Sequence, residues 1–232
     1  MNCDPEELAS LSRCYCLGGH WRRAWIYALC QWANNLTPPV PPVFSWAPAS
    51  SVGYWEDALN PGGTTGDLAT FYATADNDTV RIVQLVGVGI TDILNCSSLP
   101  LLDELVCPFN PITNLDLSGC ALLYTLVCSS SNLSSITVAG CVSLHEIDCH
   151  LTSISDLDIS DCPAIALVLC RLCSLTTSVV NSILIHLDNS GINGGSCELE
   201  SQAPAAPPSG LGIVAKTSLL SVPRGPWTVT TD

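Results

Sequence analysis

"LVCPFNPITNLDLSGC" (Leu105–Cys120) returns in altered letters as "LVCSSSNLSSITVAGC" (Leu126–Cys141) and again as "IDCHLTSISDLDISDC" (Ile147–Cys162). Each copy starts 21 positions after the last, and the period sets two cysteine ladders. One holds Cys107, Cys128, Cys149 and Cys170; the other holds Cys120, Cys141 and Cys162. Apolar residues alternate twice within each copy, first around Leu105 and Cys107, then at Leu115, Leu117 and Cys120. Two short period-2 runs per copy predict two strands, stacked on their counterparts in neighbouring copies as two parallel sheets. An earlier copy, "VRIVQLVGVGITDILNC", ends at Cys96, a couple of residues short of the register.

Set in register, the first full copy reads Leu102, Leu105, Cys107, Asn110, Ile112. The next read Leu123, Leu126, Cys128, Ser131, Leu133, then Leu144, Ile147, Cys149, Thr152, Ile154, then Ile165, Val168, Cys170, Cys173, Leu175. This is the L-x-x-L-x-L-x-x-N-x-L pattern of a leucine-rich repeat, with cysteine in the third apolar slot. The cysteines therefore take inward positions, where a narrow coil favours a small apolar side chain. Stacked side chains point the same way, which suits free thiols better than a disulfide's near-90° torsion. Zinc sites need ligands clustered at one point. Cys170 and Cys173 have a metal-like spacing, but both positions are accounted for by the repeat. The ladder cysteines are expected to be structural thiols, with no metal and no cofactor.

The 232-residue chain has ample length for a core. It is 47% hydrophobic and 12% charged, which suggests apolar surface covered by a partner. Its net charge is −14, with Lys216 the one lysine. Such a chain repels nucleic acid and anionic membranes, so neither is an expected partner. Residues 1–35 hold as many arginines as acids, so the −14 belongs to the remainder. No stretch reaches the roughly 18 apolar residues of a membrane span. The start, "MNCDPEELAS", is acidic and does not read as a signal peptide. A reducing cytoplasm would keep fourteen cysteines mostly as thiols.

Residues 1–35 read as a helical hairpin broken at Gly18 and Gly19. Trp21, Trp25, Leu29 and Trp32 form one apolar stripe on its second helix. A hairpin this small buries three tryptophans poorly by itself. Docking on another subunit, disulfides or plain packing among its cysteines, and a zinc ion near His20 all remain open. Residues 36–79 hold a proline-rich arm, "TPPVPPVFSWAP", and then loops, with "NPGG" as a turn and a short helix at Asp67–Ala73. They are expected to cap the first coil through Trp55, Phe71 and Tyr72. Residues 176–232 read as a helix, a strand, a proline-rich loop, a second helix and a closing edge strand. The expected fold is α/β: a leucine-rich-repeat solenoid with two short parallel sheets over 80–175, the N-terminal helical hairpin and arm before it, and an α/β C-terminal cap after it.

Candidate chemistry is sparse. Glu146, Asp148 and His150 alternate outward on one strand beside His145, and read as a solvated strand face rather than a cation site. Val106, Val127 and Leu169 take the position of Asp148 in other copies. They predict an exposed aliphatic row, a sign of an interface. His186 reads as structural, and Asp116 and Asp158 as solubilising. No nucleophile elbow, phosphate loop, H-E-x-x-H helix or paired catalytic carboxylates occur in the sequence, so no enzyme is expected.

The C-terminal "APAAPPSGLGIVAKTSLLSVPRGPWTVTTD" resembles a tail that follows such repeats in bacteriophage and environmental bacterial proteins. There the ending runs Arg-Gly-Trp-Thr-Val-Thr-Thr; here Pro226 is inserted between Gly225 and Trp227. "CDPEELASLSRCYCLGGHWRRAWIYALCQWAN" is similar to small cysteine-bearing helical modules of phage virion proteins. With the repeats, the resemblance leaves out mainly residues 36–79. It implies a non-enzymatic virion protein bound to other virion proteins in symmetric multiple copies, or to a host surface ligand, and carries over no catalytic residue. The alternative is a bacterial cell-surface or extracellular adhesion protein.

Overall fold

The computed structural model describes residues 53–57, 60–66, 80–87, 93–96, 99–221 and 227–232, all within the unit Val40–Asp232. In chain order these form β1 (Gly53–Asp57), β2 (Asn60–Gly66), β3 (Ile82–Gln84), β4 (Ile93–Asn95), β5 (Glu104–Val106), β6 (Asn114–Asp116), β7 (Thr125–Val127), β8 (Ser135–Thr137), β9 (Glu146–Asp148) and β10 (Leu167–Leu169). Helix α1 (Thr177–Ser190), β11 (Ser196–Leu199), helix α2 (Leu211–Leu219) and β12 (Thr228–Thr231) follow. The fold is α/β, with a mostly parallel sheet and few helices. The larger sheet has the order β12-β11-β10-β9-β7-β5-β3-β1-β2, and the seven strands from β12 to β3 run parallel. The smaller sheet, β4-β6-β8, is also parallel.

Register follows the sequence period. Val83, Leu105, Leu126, Ile147, Val168, Cys197 and Val229 face one another across the seven parallel strands, and all are buried. Beside them runs the column Leu85, Cys107, Cys128, Cys149, Cys170 and Leu199, also buried. Backbone bonds continue the ladder past the strand ends, as from Cys107 N to Val127 O (2.7 Å) and from Cys128 N to Asp148 O (2.8 Å). After β6 and β8 the chain turns at Gly119 and Gly140, with φ of 82° and 77°. These values lie in the left-handed region that glycine enters without a Cβ clash. Cys120 N and Cys141 N then donate back to Leu117 O and Val138 O.

Three departures from the sequence reading are clear. First, Cys96 follows β4 as Leu117 follows β6, and Leu99 N bonds Cys96 O, so Leu99 rather than Cys96 fills the closing slot of that copy. β4 is thus in register with β6, while β3 pairs β5 at a spacing of 22, so this copy is longer by one residue before β4 rather than short at its end. Second, 53–57 and 60–66, read as loops, form an antiparallel hairpin that also pairs antiparallel with β3. The "NPGG" letters lie within β2 rather than at a turn. Their turn propensity is overridden by pairing with β1, with Pro61 inside a sheet-edge strand, the place in a sheet where proline is tolerated. The helix read at 67–73 lies outside the described residues. Third, the copy Ile147–Cys162 supplies no strand to the smaller sheet. Leu157 and Ile159 are buried, but 156–158 does not pair with β8.

The C-terminal elements come in the order the sequence indicates. Thr176 Oγ1 accepts from Val179 N (3.3 Å) at the start of α1, and Gly191 ends it at φ 75°. α1 buries Val180, Ile183, Leu184 and Leu187 against the core. β11 and β12 extend the larger sheet. Gly212 lets α2 approach α1 closely: a Cβ there would lie 3.1 Å from the Asn181 Cα. Trp227 is buried against Gly195, and its indole N–H donates to Ile192 O (3.1 Å).

Candidate interaction surface

The outer face of the larger sheet differs from the expectation. Val106 and Val127 are 4% and 0% exposed, yet neither belongs to the interior apolar cluster. Their neighbours on that face, Glu104, Thr125, Glu146 and Asp148, are buried too, while Leu169 is half-buried. Every residue of β5, β7 and β9 is therefore buried, on both faces. Alternation separates two faces of a strand but does not make the second one wet, and parallel sheets are commonly covered on both sides. The expected open aliphatic row is not exposed, and neither is the solvated face read for Glu146 and Asp148.

His150 Nδ1 lies 2.5 Å from Asp148 Oδ1, and Asp148 Oδ1 also accepts the His150 backbone N–H (3.2 Å). His145 stacks on Tyr124, with ring centroids 4.8 Å apart and planes 8° from parallel. The two histidines are thus each engaged locally. Among the described residues no group of three or more His, Cys, Asp or Glu side chains is placed to hold a metal ion. Asp116 and Asp158 accept the N–H of the second residue on, Ser118 (3.0 Å) and Ser160 (2.9 Å). The Ser160 bonds lower the carboxyl pKa of Asp158. Asp116 shapes the turn after β6, and Asp158 the equivalent turn of the copy Ile147–Cys162. His186 Nε2 lies 3.1 Å from Cys162 O and ties α1 to the copy Ile147–Cys162.

Exposed apolar groups lie at the corners instead. After β3, β5, β7, β9, β10 and β11 the chain passes one residue in the left-handed region: Gly87, Phe109, Ser130, Leu151, Leu172 and Ser201, with φ between 54° and 61°. Each of the first five donates its N–H to the next strand's extension, as from Ser130 N to His150 O (2.8 Å) and from Leu151 N to Arg171 O (3.1 Å). Leu151 and Leu172 are 49% and 47% exposed. A bulky side chain at positive φ is an outlier that costs about 1–3 kcal/mol. Leu101, Leu122 and Val142 are exposed on the turns that enter the larger sheet, and Leu211, Ile213 and Val214 on α2.

The interior columns are polar where the backbone needs partners. Asn110 Nδ2 donates to Leu85 O and Cys107 O (2.5 and 3.0 Å), Ser131 Oγ to Cys128 O (2.8 Å) and Thr152 Oγ1 to Cys149 O (2.8 Å). Cys173 Sγ, next in the column, approaches Cys149 O (3.3 Å). Gln202 closes it, with Nε2 donating to Cys170 O and Leu199 O (2.8 and 2.9 Å). All ten described cysteines are buried and free. Burial pushes Cys107, Cys141 and Cys162 up to about 12 and Cys120 to about 11, and raises Cys96, Cys128, Cys149, Cys170 and Cys197. Cys173 is the exception: a hydrogen bond from Cys149, helped by Thr152, lowers it to about 7.

Trp21, Trp25, Leu29 and Trp32 lie outside the described residues, as do Phe71 and Tyr72. The sequence reading missed two features. The corner leucines carry no propensity signal, and only their 21-residue spacing from Ser130 could have marked them. Gln202 extends the Asn110 column after an insertion that hides the period. No protein family matches the chain, and no curated protein or solved structure is detectably similar to it.

Proposed function

We propose that the 21-residue copies build a leucine-rich-repeat solenoid, and that this is a non-enzymatic interaction protein of a bacteriophage particle. It presents its corner column to neighbouring subunits or to a host surface. The observation that carries this reading is Phe109, Leu151 and Leu172 at left-handed corners, with both leucines half in water. Bulky residues there weaken the isolated chain where glycine or asparagine would not. A contact made outside the chain accounts for them. The net charge of −14, none of it from residues 1–35, fits a partner surface that is apolar with a cationic margin. The N-terminal tryptophan stripe and proline arm are the proposed anchor, and the sequence resemblance of both chain ends supports the virion setting.

The test is quantitative mass spectrometry of purified particles, with and without residues 1–35. A fixed copy number that disappears on truncation supports the reading. A chain absent from particles and monomeric in solution overturns it in favour of a cell-surface or soluble recognition protein.

A further inference from the structure

The copies differ in one chemical respect. The polar column reads Asn110, Ser131, Thr152 and then Cys173, so the fourth copy adds a third sulfur beside two ladder cysteines. Cys149 and Cys170 are neighbours across the extension of β9 and β10, and their Sγ atoms are 2.8 Å apart. Among the described residues the same ladder shows no such sulfur contact between Cys107 and Cys128 or between Cys128 and Cys149. Paired parallel positions put their Cα atoms about 4.8 Å apart, inside the range that a disulfide spans. Cys173 Sγ lies against Cys149 O at 3.3 Å and Thr152 Oγ1 at 3.4 Å.

We propose that Cys149, Cys170 and Cys173 form an oxidative modification site that takes hydrogen peroxide as a two-electron oxidant and holds the result as a Cys149–Cys170 disulfide. The division of labour follows from the environments. Cys173 is lowered to about 7 while Cys149 and Cys170 are raised by burial, so Cys173 supplies the thiolate. Its sulfur attacks the peroxide, the O–O bond breaks, and with one proton taken up the products are Cys173 sulfenic acid and water. The Cys149 thiol then attacks the sulfenic sulfur; the S–O bond breaks and a second water leaves with the thiol proton. Cys170 displaces Cys173 from Cys149, releasing its proton and the Cys173 thiolate, which restores the starting state of Cys173. The sum is two thiols and one peroxide to one disulfide and two waters. The bridge staples two adjacent copies on the side of the corner leucines.

The test uses the full chain, treated with hydrogen peroxide at pH 7, quenched with acid and N-ethylmaleimide, and digested with Asp-N and trypsin. Cleavage before each aspartate and after Arg171 puts Cys149 in peptide 148–155, Cys170 with Cys162 in 161–171, and Cys173 in 172–187. The expected product is 148–155 joined to 161–171, unchanged in Cys162→Ser. In Cys170→Ser the bridge should move to 172–187, and Cys173→Ser should slow bridging about tenfold or more. Peptides that stay separate while the urea-unfolded chain oxidises would overturn the site. So would a bridge lost in Cys162→Ser, and an unchanged rate in Cys173→Ser would overturn the role given to Cys173. Circular dichroism of each variant separates lost chemistry from lost fold.

Discussion

Truncating the polar column to alanine should lower stability in proportion to the carbonyls each side chain serves. Asn110 is 1% exposed, and its amide holds Leu85 O and Cys107 O, with Pro108 O a third acceptor at 3.3 Å. A buried carbonyl left without a donor costs about 1–3 kcal/mol. Two such losses put Asn110→Ala at about 2–6 kcal/mol. Gln202→Ala frees Cys170 O and Leu199 O and also strips the Leu175 N–H of its acceptor, so it belongs in the same range. Ser131 serves Cys128 O alone, and Ser131→Ala should cost about 1 kcal/mol. Urea unfolding followed by circular dichroism reads the order directly. With slopes of about 2–3 kcal/mol/M, Asn110→Ala should move the midpoint by about 1 M or more and Ser131→Ala by roughly a third of that. Equal shifts, or a larger one for Ser131, would refute the assignment of the column to carbonyl capping.

Leu151→Asn and Leu172→Asn should each raise stability by about 1 kcal/mol, since asparagine accepts the left-handed corner, while weakening incorporation into particles; thermal melts and particle counts read the two effects. Gly212→Ala drives a Cβ to within 2.0 Å of Asn181 Oδ1 and 3.1 Å of its Cα, and should cost about 1–3 kcal/mol in urea midpoint analysis. Alkaline pH should be destabilising. Cys107, Cys141 and Cys162 hold folded values near 12 against 9.0 for a free thiol, so the unfolded chain loses protons first. Stability is then full below pH 9 and falls toward pH 12, by about 1.4 kcal/mol per pH unit for each such thiol. Melts in reductant at pH 8 and pH 10 that coincide would contradict this.

Most of the central fold is legible because burial and period coincide. Leu105, Leu126 and Ile147 announce the inward row, and one register explains the thiol ladders without any bond between copies. The hairpin at 53–66 was not legible. Its letters are rich in glycine, and it exists because β3 offers an unpaired edge, a tertiary cause that local propensity does not contain. The site was less legible than the fold. Val106 and Val127 were placed on the correct face, but alternation could not say that this face is buried. Leu151 and Leu172 were hidden for the opposite reason: leucine is not a turn residue, so nothing local suggests a left-handed corner. That conformation is imposed by hydrogen bonds running to the next copy.

The corner column has a consequence for how such a chain changes over generations. From Gly87 to Leu172 the corner is held by its own N–H, which bonds the next copy whatever side chain it carries. Glycine, phenylalanine, serine and leucine all occur there at nearly the same φ. Backbone geometry is thereby uncoupled from side-chain identity along one line of the surface. A lineage can rewrite that line one codon at a time, and duplication of a single 21-residue unit would add one more character at a fixed pitch of about 4.8 Å.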